Sequence, residues 1–320
     1  MVNDRGAVLV VYNPAKVNER KLRESVATHA PRGTRVEWAA TTPYDDGHAQ
    51  AAAARPGIGT VVVAGGDGTV RAVAAALAGS GVRLAVVPAG TGNLLARNLG
   101  MDLDLDASVR RAFAGRERPV DFCAVTLHRP DGTNERSGFT VMAGLGIDTG
   151  MIEHTDERLK KRIGPLAYGQ GILRSLARGR NVKVTYTVDG ERVGETRLHT
   201  LILGNCGQLL NEFPLFPAAR PDDGLFDLVA MAPRGPFGWI DIGNRLVAAA
   251  VRAALGRPRP EESPRRVVPR RAGVLEYAQG TRATVQLAAP HLFELDGDPV
   301  GEVSAVEVEI RPGALRVMGE

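Results

Sequence analysis

The run Gly59-Thr60-Val61-Val62-Val63-Ala64-Gly65-Gly66-Asp67-Gly68-Thr69-Val70-Arg71-Ala72-Val73-Ala74-Ala75-Ala76-Leu77-Ala78 decides the fold. Gly59 to Ala64 is a continuous apolar stretch of strand length, and Val70 to Ala78 is built from helix-compatible residues. A strand that passes through a glycine turn straight into a helix is half of a βαβ unit. The same grammar recurs on both sides. Upstream, Ala7 to Tyr12 reads as a strand, Glu19 to His29 as a helix, Arg35 to Ala39 as a short strand and Ala49 to Ala54 as a helix. Downstream, Val82 to Val87 is a third apolar strand, closed by Pro88 and another glycine-rich turn. The alternation predicts a parallel sheet with helices on both faces, joined by right-handed crossovers.

Beyond Phe122 the pattern changes. Cys123–Leu127, Phe139–Ala143, Val182–Val188, Thr196–Leu203, Gly224–Met231, Ala283–Leu287 and Val303–Ile310 are β-rich, with hairpin pairs such as Asp131-Gly132 and Asp189-Gly190 between them. Helical patterns interrupt at Glu157–Ala177 and Ile240–Leu255. This half reads as a mostly antiparallel β-sandwich. The expected division is an α/β nucleotide-binding domain over residues 1–125, a β-sandwich acceptor domain over 126–312, and a C-terminal strand, 313–320, returning to the first domain.

Composition narrows the class. The 320 residues are 44% hydrophobic and 24% charged, as in ordinary globular proteins, and no apolar run reaches the length of a membrane span. Met1 to Gly6 carries charges and no signal-peptide core, and Cys123 and Cys206 lie in apolar runs. A cytoplasmic protein with reduced thiols is therefore expected. The net charge is only +4, the basic residues are mostly Arg, and aromatics make up 5%, so no nucleic-acid partner is indicated. The histidines show no metal-ligand spacing.

The chemistry concentrates at strand ends. In Gly65-Gly66-Asp67-Gly68-Thr69 the adjacent glycines let a ligand approach the backbone, and the helix that starts there offers free N–H groups and a positive dipole end to phosphate. Thr69 can cap the helix or donate to a phosphate oxygen, and Asp67 is expected to act through magnesium or a ribose hydroxyl. The competing reading is a plain βα turn. Pro88-Ala89-Gly90-Thr91-Gly92-Asn93 and Asn13-Pro14-Ala15-Lys16 end neighbouring strands in the same way. In a parallel sheet these loops share the carboxyl edge, where ligands bind. Neither the P-loop nor the Rossmann glycine pattern is present.

Taken in order, Asn13-Pro14, Gly65–Thr69 and Pro88-Ala89-Gly90-Thr91-Gly92-Asn93 resemble the diacylglycerol-kinase catalytic-domain family, which includes bacterial soluble lipid kinases and sphingosine and ceramide kinases. The likeness continues through Gly144-Leu145-Gly146-Ile147-Asp148, Pro221-Asp222-Asp223-Gly224-Leu225-Phe226-Asp227 and Asp296-Gly297-Asp298. It implies an NAD-kinase- and phosphofructokinase-like first domain, ATP and Mg2+ as cofactors, and a lipid acceptor. By the same likeness Asn13, Pro14, Ala15, Lys16, Val17, Thr42 (with Thr41 as the alternative), Gly65, Gly66, Asp67, Gly68, Thr69, Val70, Arg71, Ala72, Thr91, Gly92 and Asn93 contact the nucleotide. Asp298 is the implied general base, with Asp296 in its cluster, and Asp223 with the Leu225 carbonyl is the implied magnesium site. The chain departs from the family at Val70-Arg71-Ala72, at Leu94 where many relatives have Asp, at Arg220, and at Asp298 in place of Glu.

The residues themselves leave alternatives open. Asp296-Gly297 is also a strong hairpin pair, and Asp222-Asp223-Gly224 also reads as a turn. Lys160, Lys161 and Arg162 read as a solvated helix end or as phosphate ligands. Leu209, Leu210, Phe213, Leu215 and Phe216 are either sandwich core or a lipid slot. The Arg-rich stretch Arg257–Arg271 is either a solvated linker or a docking loop for an anionic membrane surface. The expected activity is phosphorylation of a diacylglycerol-type hydroxyl. The alternatives are a sphingoid base, a glycerolipid intermediate or NAD as acceptor, or a catalytically silent nucleotide- or lipid-binding regulator. The oligomeric state is left open, with a homodimer among the expectations.

Overall fold

The computed structural model describes residues 6–53, 57–146, 181–209, 213–216, 219–233, 238, 241–242, 244 and 275–320. The chain divides into two compact units, one comprising Met1–Phe122, Pro221–Asp223 and Arg311–Glu320, the other Cys123–Arg220 and Gly224–Ile310.

In the first unit β1 (Ala7–Tyr12), β2 (Val36–Ala40), β3 (Ile58–Gly65) and β4 (Arg83–Pro88) are parallel, in the order β4-β3-β1-β2. The tail of the long strand β16 (Asp298–Gly319) extends this sheet, with Arg316 and Val317 paired in parallel with Arg83 and Leu84. Helices α1 (Glu19–His29), α2 (His48–Ala52), α3 (Asp67–Leu77), α4 (Leu94–Asn98) and α5 (Leu105–Ala114) fall between the strands or after β4. Side chains alternate across a strand. Val8, Val10 and Tyr12 therefore share one face of β1, and they pack with Leu22 and Val26 of α1 and Val109, Ala112 and Phe113 of α5. On the opposite face, a Cβ on Gly47 would lie 3.0 Å from Val11 and 3.2 Å from Val73, which brings α2 and α3 against that side. The sheet is covered on both faces, as the alternation implies.

The sequence reading leaves α5 out, although its signals are present. Asp104 caps it by accepting from the Ala107 N–H at 2.9 Å, and Val109, Ala112 and Phe113 recur at helical spacing.

The second unit is antiparallel. β14 (Leu275–Gly280), β13 (Phe226–Met231), β10 (Thr200–Gly204), β7 (Met142–Leu145), β15 (Arg282–Leu295) and the first part of β16 follow one another in the sheet. β8 (Val182–Val188) pairs with β15 and with β9 (Glu191–Leu198), β5 (Arg116–His128) pairs with β6 (Asn134–Phe139), and β11 (Gln208–Leu209) pairs with β12 (Phe213–Pro214). Phe139, Tyr186, Phe226 and Phe293 fill its core, together with Cys123. The hairpins at Asp189-Gly190 and Asp296-Gly297 have positive φ at both turn residues, the geometry for which Asp-Gly is suited. Phe139–Ala143 reads as one strand in the sequence, but the structure ends β6 at Phe139 and starts β7 at Met142. The break has a cause: the Asp296 carboxylate captures the N–H groups of Thr140, Val141 and Met142.

Both cysteines are buried, and neither is in a disulfide. Among the described residues no helix is long and apolar enough to cross a membrane. Leu215 and Phe216 are fully buried, so these two belong to the core. The expected helix at 157–177 lies outside the described residues, as does that at 240–255 apart from Asp241, Ile242 and Asn244. So do the Arg-rich stretch 257–271 and Asp148, Lys160, Lys161, Arg162 and Leu210.

Candidate functional site

Beyond the carboxyl ends of the parallel strands, the backbone ladder continues into the loops. The Asn13 N–H donates to the Ala64 carbonyl at 2.9 Å, the Thr41 N–H to Tyr12 at 2.8 Å, and the Ala89 N–H to Gly65 at 2.8 Å. These bonds bring the tips of four adjacent strands to one edge. Asn13 also folds its own loop: its Oδ1 accepts from the Ala15 N–H at 2.9 Å, and its carbonyl from Lys16 and Val17 at 3.0 Å.

The central pair of loops is interlocked. The Asp67 carboxylate accepts from the backbone N–H of Asn93 at 2.8 Å and of Leu94 at 2.6 Å. Asn93, in the left-handed region at φ 49, accepts through Oδ1 from the Gly90 N–H and donates through Nδ2 to the Gly90 carbonyl, both at 2.8 Å. Arg97 Nε donates to the Gly92 carbonyl at 2.9 Å. A Cβ on Gly90 would stand 2.8 Å from Gly66 Cα, so backbone meets backbone where the loops touch. The sequence reading assigns Asp67 to magnesium or ribose, whereas in the structure it ties the two loops together. That bond joins residues 26 apart and has no local sequence signature.

At the start of α3, Gly66 has an extended backbone and supplies no side-chain cap, so this helix end carries its dipole toward the loop edge. The side chains of Val17, Val70 and Ala72 are buried, so at these positions only the backbone is available to a ligand. Thr69 packs over Gly65, where a Cβ would fall 2.8 Å from its own, and is 7% exposed. Thr91, Lys16, Pro14 and Ala15 are exposed and Gly92 is buried. Thr41 is buried and Thr42 exposed, with Thr42 bridging to Asp45 to present Tyr44 to solvent.

In the second unit, Asp296 and Asp298 flank the β15–β16 turn and have different surroundings. Asp296 is 3% exposed, and its carboxylate accepts from the Thr140 N–H and hydroxyl and from the Val141 and Met142 N–H groups, at 2.8–2.9 Å. Its acceptor capacity is committed to holding the 140–142 segment. Asp298 is half-buried and opens β16 opposite Leu295.

A profile of the diacylglycerol kinase catalytic domain matches residues 7–125, and one of the YegS C-terminal NAD kinase beta sandwich-like domain matches residues 141–237. A Klebsiella pneumoniae protein named "Probable lipid kinase YegS-like" is 30% identical, over 97% of this chain and 95% of its own. The chain belongs to the diacylglycerol kinase catalytic-domain family. A Cronobacter sakazakii protein of the same name is also 30% identical, over 99% of this chain and 96% of its own. Among solved structures, a diacylglycerol kinase from Bacillus anthracis superposes with a TM-score of 0.66 at 18% identity, covering 98% of this chain and 97% of that one. Yeast NADH kinase complexed with NADH gives a TM-score of 0.50 at 12% identity, covering 98% and 83%. These two show the fold this diacylglycerol kinase relative shares with them.

The magnesium that the diacylglycerol kinase likeness implies can be tested against the donors present. Asp223 is exposed, and its neighbour Asp222 faces the Arg118 guanidinium at 3.8 Å. Among the described residues no group of three His, Cys, Asp or Glu side chains gathers as a metal site. Magnesium keeps several waters and takes one or two carboxylates, so the Asp223 carboxylate with the Leu225 carbonyl is within the protein share such an ion takes.

Proposed function

We propose that this protein transfers the γ-phosphoryl group of ATP to the hydroxyl of a diacylglycerol-type lipid. The observation that carries the reading is the interlocked loop pair, with Asp67 clamping the Asn93 and Leu94 amides while Gly66 and Gly90 meet backbone to backbone. Phosphoryl transfer asks a protein for positioning and charge neutralisation more than for covalent chemistry. Glycine backbone beside an uncapped helix start supplies both for a triphosphate. Asn13–Val17, Thr42 and Thr91 complete the nucleotide contacts in this reading.

In the transfer, the lipid hydroxyl oxygen attacks the γ-phosphorus while its proton passes to the Asp298 carboxylate. The new oxygen–phosphorus bond forms as the bond from the γ-phosphorus to the bridging oxygen breaks, and ADP leaves. ATP is taken as its magnesium complex, in which the metal offsets charge on the phosphate oxygens. The lipid-kinase names of the relatives support the acceptor class, and in this reading the enzyme meets its acceptor at an anionic membrane surface on the cytoplasmic side.

The test is transfer of labelled phosphate from ATP across diacylglycerol, monoacylglycerol, sphingosine and NAD, with the product identified by mass. A phosphorylated glycerolipid supports the reading. Phosphorylation of NAD alone, or ATP binding with no transfer to any acceptor, overturns it.

A further inference from the structure

The amino edge of the parallel sheet, at the opposite ends of the same strands, carries a cavity of about 480 Å³. All fourteen lining residues lie in the first unit; three of them are arginines and none is acidic. Val8, Thr60 and Arg83 are direct partners across β1, β3 and β4. They share the face whose later rows, Val10, Val62 and Ala85, lie in the core against α1 and α5. At this end the row opens into the cavity instead, beside Ala112, Phe113 and Met318.

Two independent features point to a ligand. The first is charge. Arg32 and Arg35 are exposed at the rim and Arg83 is within. Glu37 reaches Arg35 at 3.3 Å, and Glu117 reaches Arg83 at 3.7 Å while also facing Arg316 at 3.4 Å. Two carboxylates thus serve three of the basic groups here, and Arg32 makes no ion pair among the described residues. The second is Thr60. It is a polar side chain lining the cavity in the row between Val8 and Arg83. Its hydroxyl can donate to a polar ligand atom held there.

We propose that this cavity binds a phosphate monoester carried on an apolar body. The phosphate sits among Arg32, Arg35 and Arg83 with an oxygen accepting from the Thr60 hydroxyl, and the body lies against Val8, Phe113 and Met318. Guanidinium groups match phosphate oxygens in planar, paired geometry, and several of them together suit a dianion. Phosphate alone would leave most of the space empty, whereas the volume is that of a small-molecule pocket. The monoester can be a lipid head group or a nucleotide. The assignment does not rest on the kinase reading, and it is tested by binding rather than turnover.

The test is calorimetric titration of the full chain with dihexanoyl phosphatidic acid, with AMP and with inorganic phosphate. At least one monoester is expected to bind about tenfold or more tightly than inorganic phosphate. That binding should weaken by about tenfold or more in the double variant Arg32→Gln/Arg35→Gln, whose changes are on the surface, and by about threefold in the near-isosteric Thr60→Val. Preference for phosphatidic acid assigns a lipid source and preference for AMP a nucleotide source; either supports the proposal. Failure of both to saturate at millimolar concentration, affinity unchanged in the double variant, or inorganic phosphate binding as tightly as the monoesters overturns it.

Discussion

Asp67 and Asn93 stand 26 residues apart in the chain and are joined by a 2.8 Å hydrogen bond from the Asn93 amide to the Asp67 carboxylate. The other carboxylate oxygen takes the Leu94 amide at 2.6 Å. Asn93 makes no side-chain cap for α4, so an acid from the neighbouring loop performs that role. One side chain thereby sets the spacing of both glycine loops.

Replacing Asp67 by Ala leaves two part-buried amides without an acceptor, a loss of about 1–3 kcal/mol. The variant is expected to melt earlier and to lose ATP affinity, with Asp67→Asn, which keeps one acceptor oxygen, falling between. Denaturant unfolding alongside an ATP titration checks this. An Ala variant as stable as the parent would remove the clamp.

Gly66 and Gly90 touch but tolerate a methyl group differently. A Cβ on Gly66 would find Gly90 Cα at 3.5 Å, an ordinary contact, whereas one on Gly90 would meet Gly66 Cα at 2.8 Å. Gly90→Ala should therefore push the loops apart, costing about 1–3 kcal/mol as overpacking does, while Gly66→Ala stays near neutral in stability. Equal melting temperatures for the two variants would contradict the contact.

Asp296 and Asp298 should separate on two different readouts. Asp296→Asn strips acceptors from the 140–142 segment and is expected to cost about 1–3 kcal/mol of stability. Asp298→Asn should lower kcat by about 10²–10⁴ if Asp298 accepts the hydroxyl proton. Full turnover in Asp298→Asn would dismiss it as the base.

Asp189 supplies a pH signature in the second unit. Burial works to raise its pKa, but the N–H groups of Thr281 and Arg282 and the Thr281 hydroxyl, each at 2.9 Å, outweigh that and hold the carboxyl below its ordinary value. A depressed folded pKa means the stabilisation is fully present above the unfolded value of about 3.9 and is lost as pH falls through the lower folded one. The stability gap between the parent and Asp189→Ala should be flat from neutral pH down to about 4 and shrink below it. Urea unfolding at a series of pH values measures the gap; one that widened on acidification would reverse the sign.

Chelation offers a simpler check. A magnesium held by the Asp223 carboxylate and the Leu225 carbonyl would stabilise the native state, so EDTA in the absence of ATP should lower the melting temperature of the parent and not that of Asp223→Ala. A melting temperature that EDTA leaves unchanged would remove the structural ion.

Much of the frame was legible because its signals are local. Apolar runs of strand length ending in glycine turns mark β1, β3 and β4, and Asp-Gly pairs mark the hairpins at residues 131, 189 and 296. The candidate nucleotide loops could be found from the same turns. The break between β6 and β7 could not, because Phe139 to Ala143 looks like one strand until Asp296 arrives from the far end of the chain. The partition of roles at the β15–β16 turn was equally hidden: Asp296 and Asp298 differ little in sequence, and only burial and four convergent donors separate them. Arg83 and Thr60 show the same limit, since nothing near either residue announces a cavity shared with Arg32 and Arg35.

The sequence by itself determined the alternation of strands and helices, the placing of the glycine loops at strand ends, and the change to an antiparallel second half, because periodicity and turn chemistry act over a few residues. Only the tertiary structure decided that Asp67 clamps a second loop, that Asp296 is spent on holding backbone, and that the amino edge of the sheet is open and basic. Each of these depends on which donors and charges meet across long stretches of chain, and a hydrogen bond acts over a few ångströms in space, whatever the distance along the sequence.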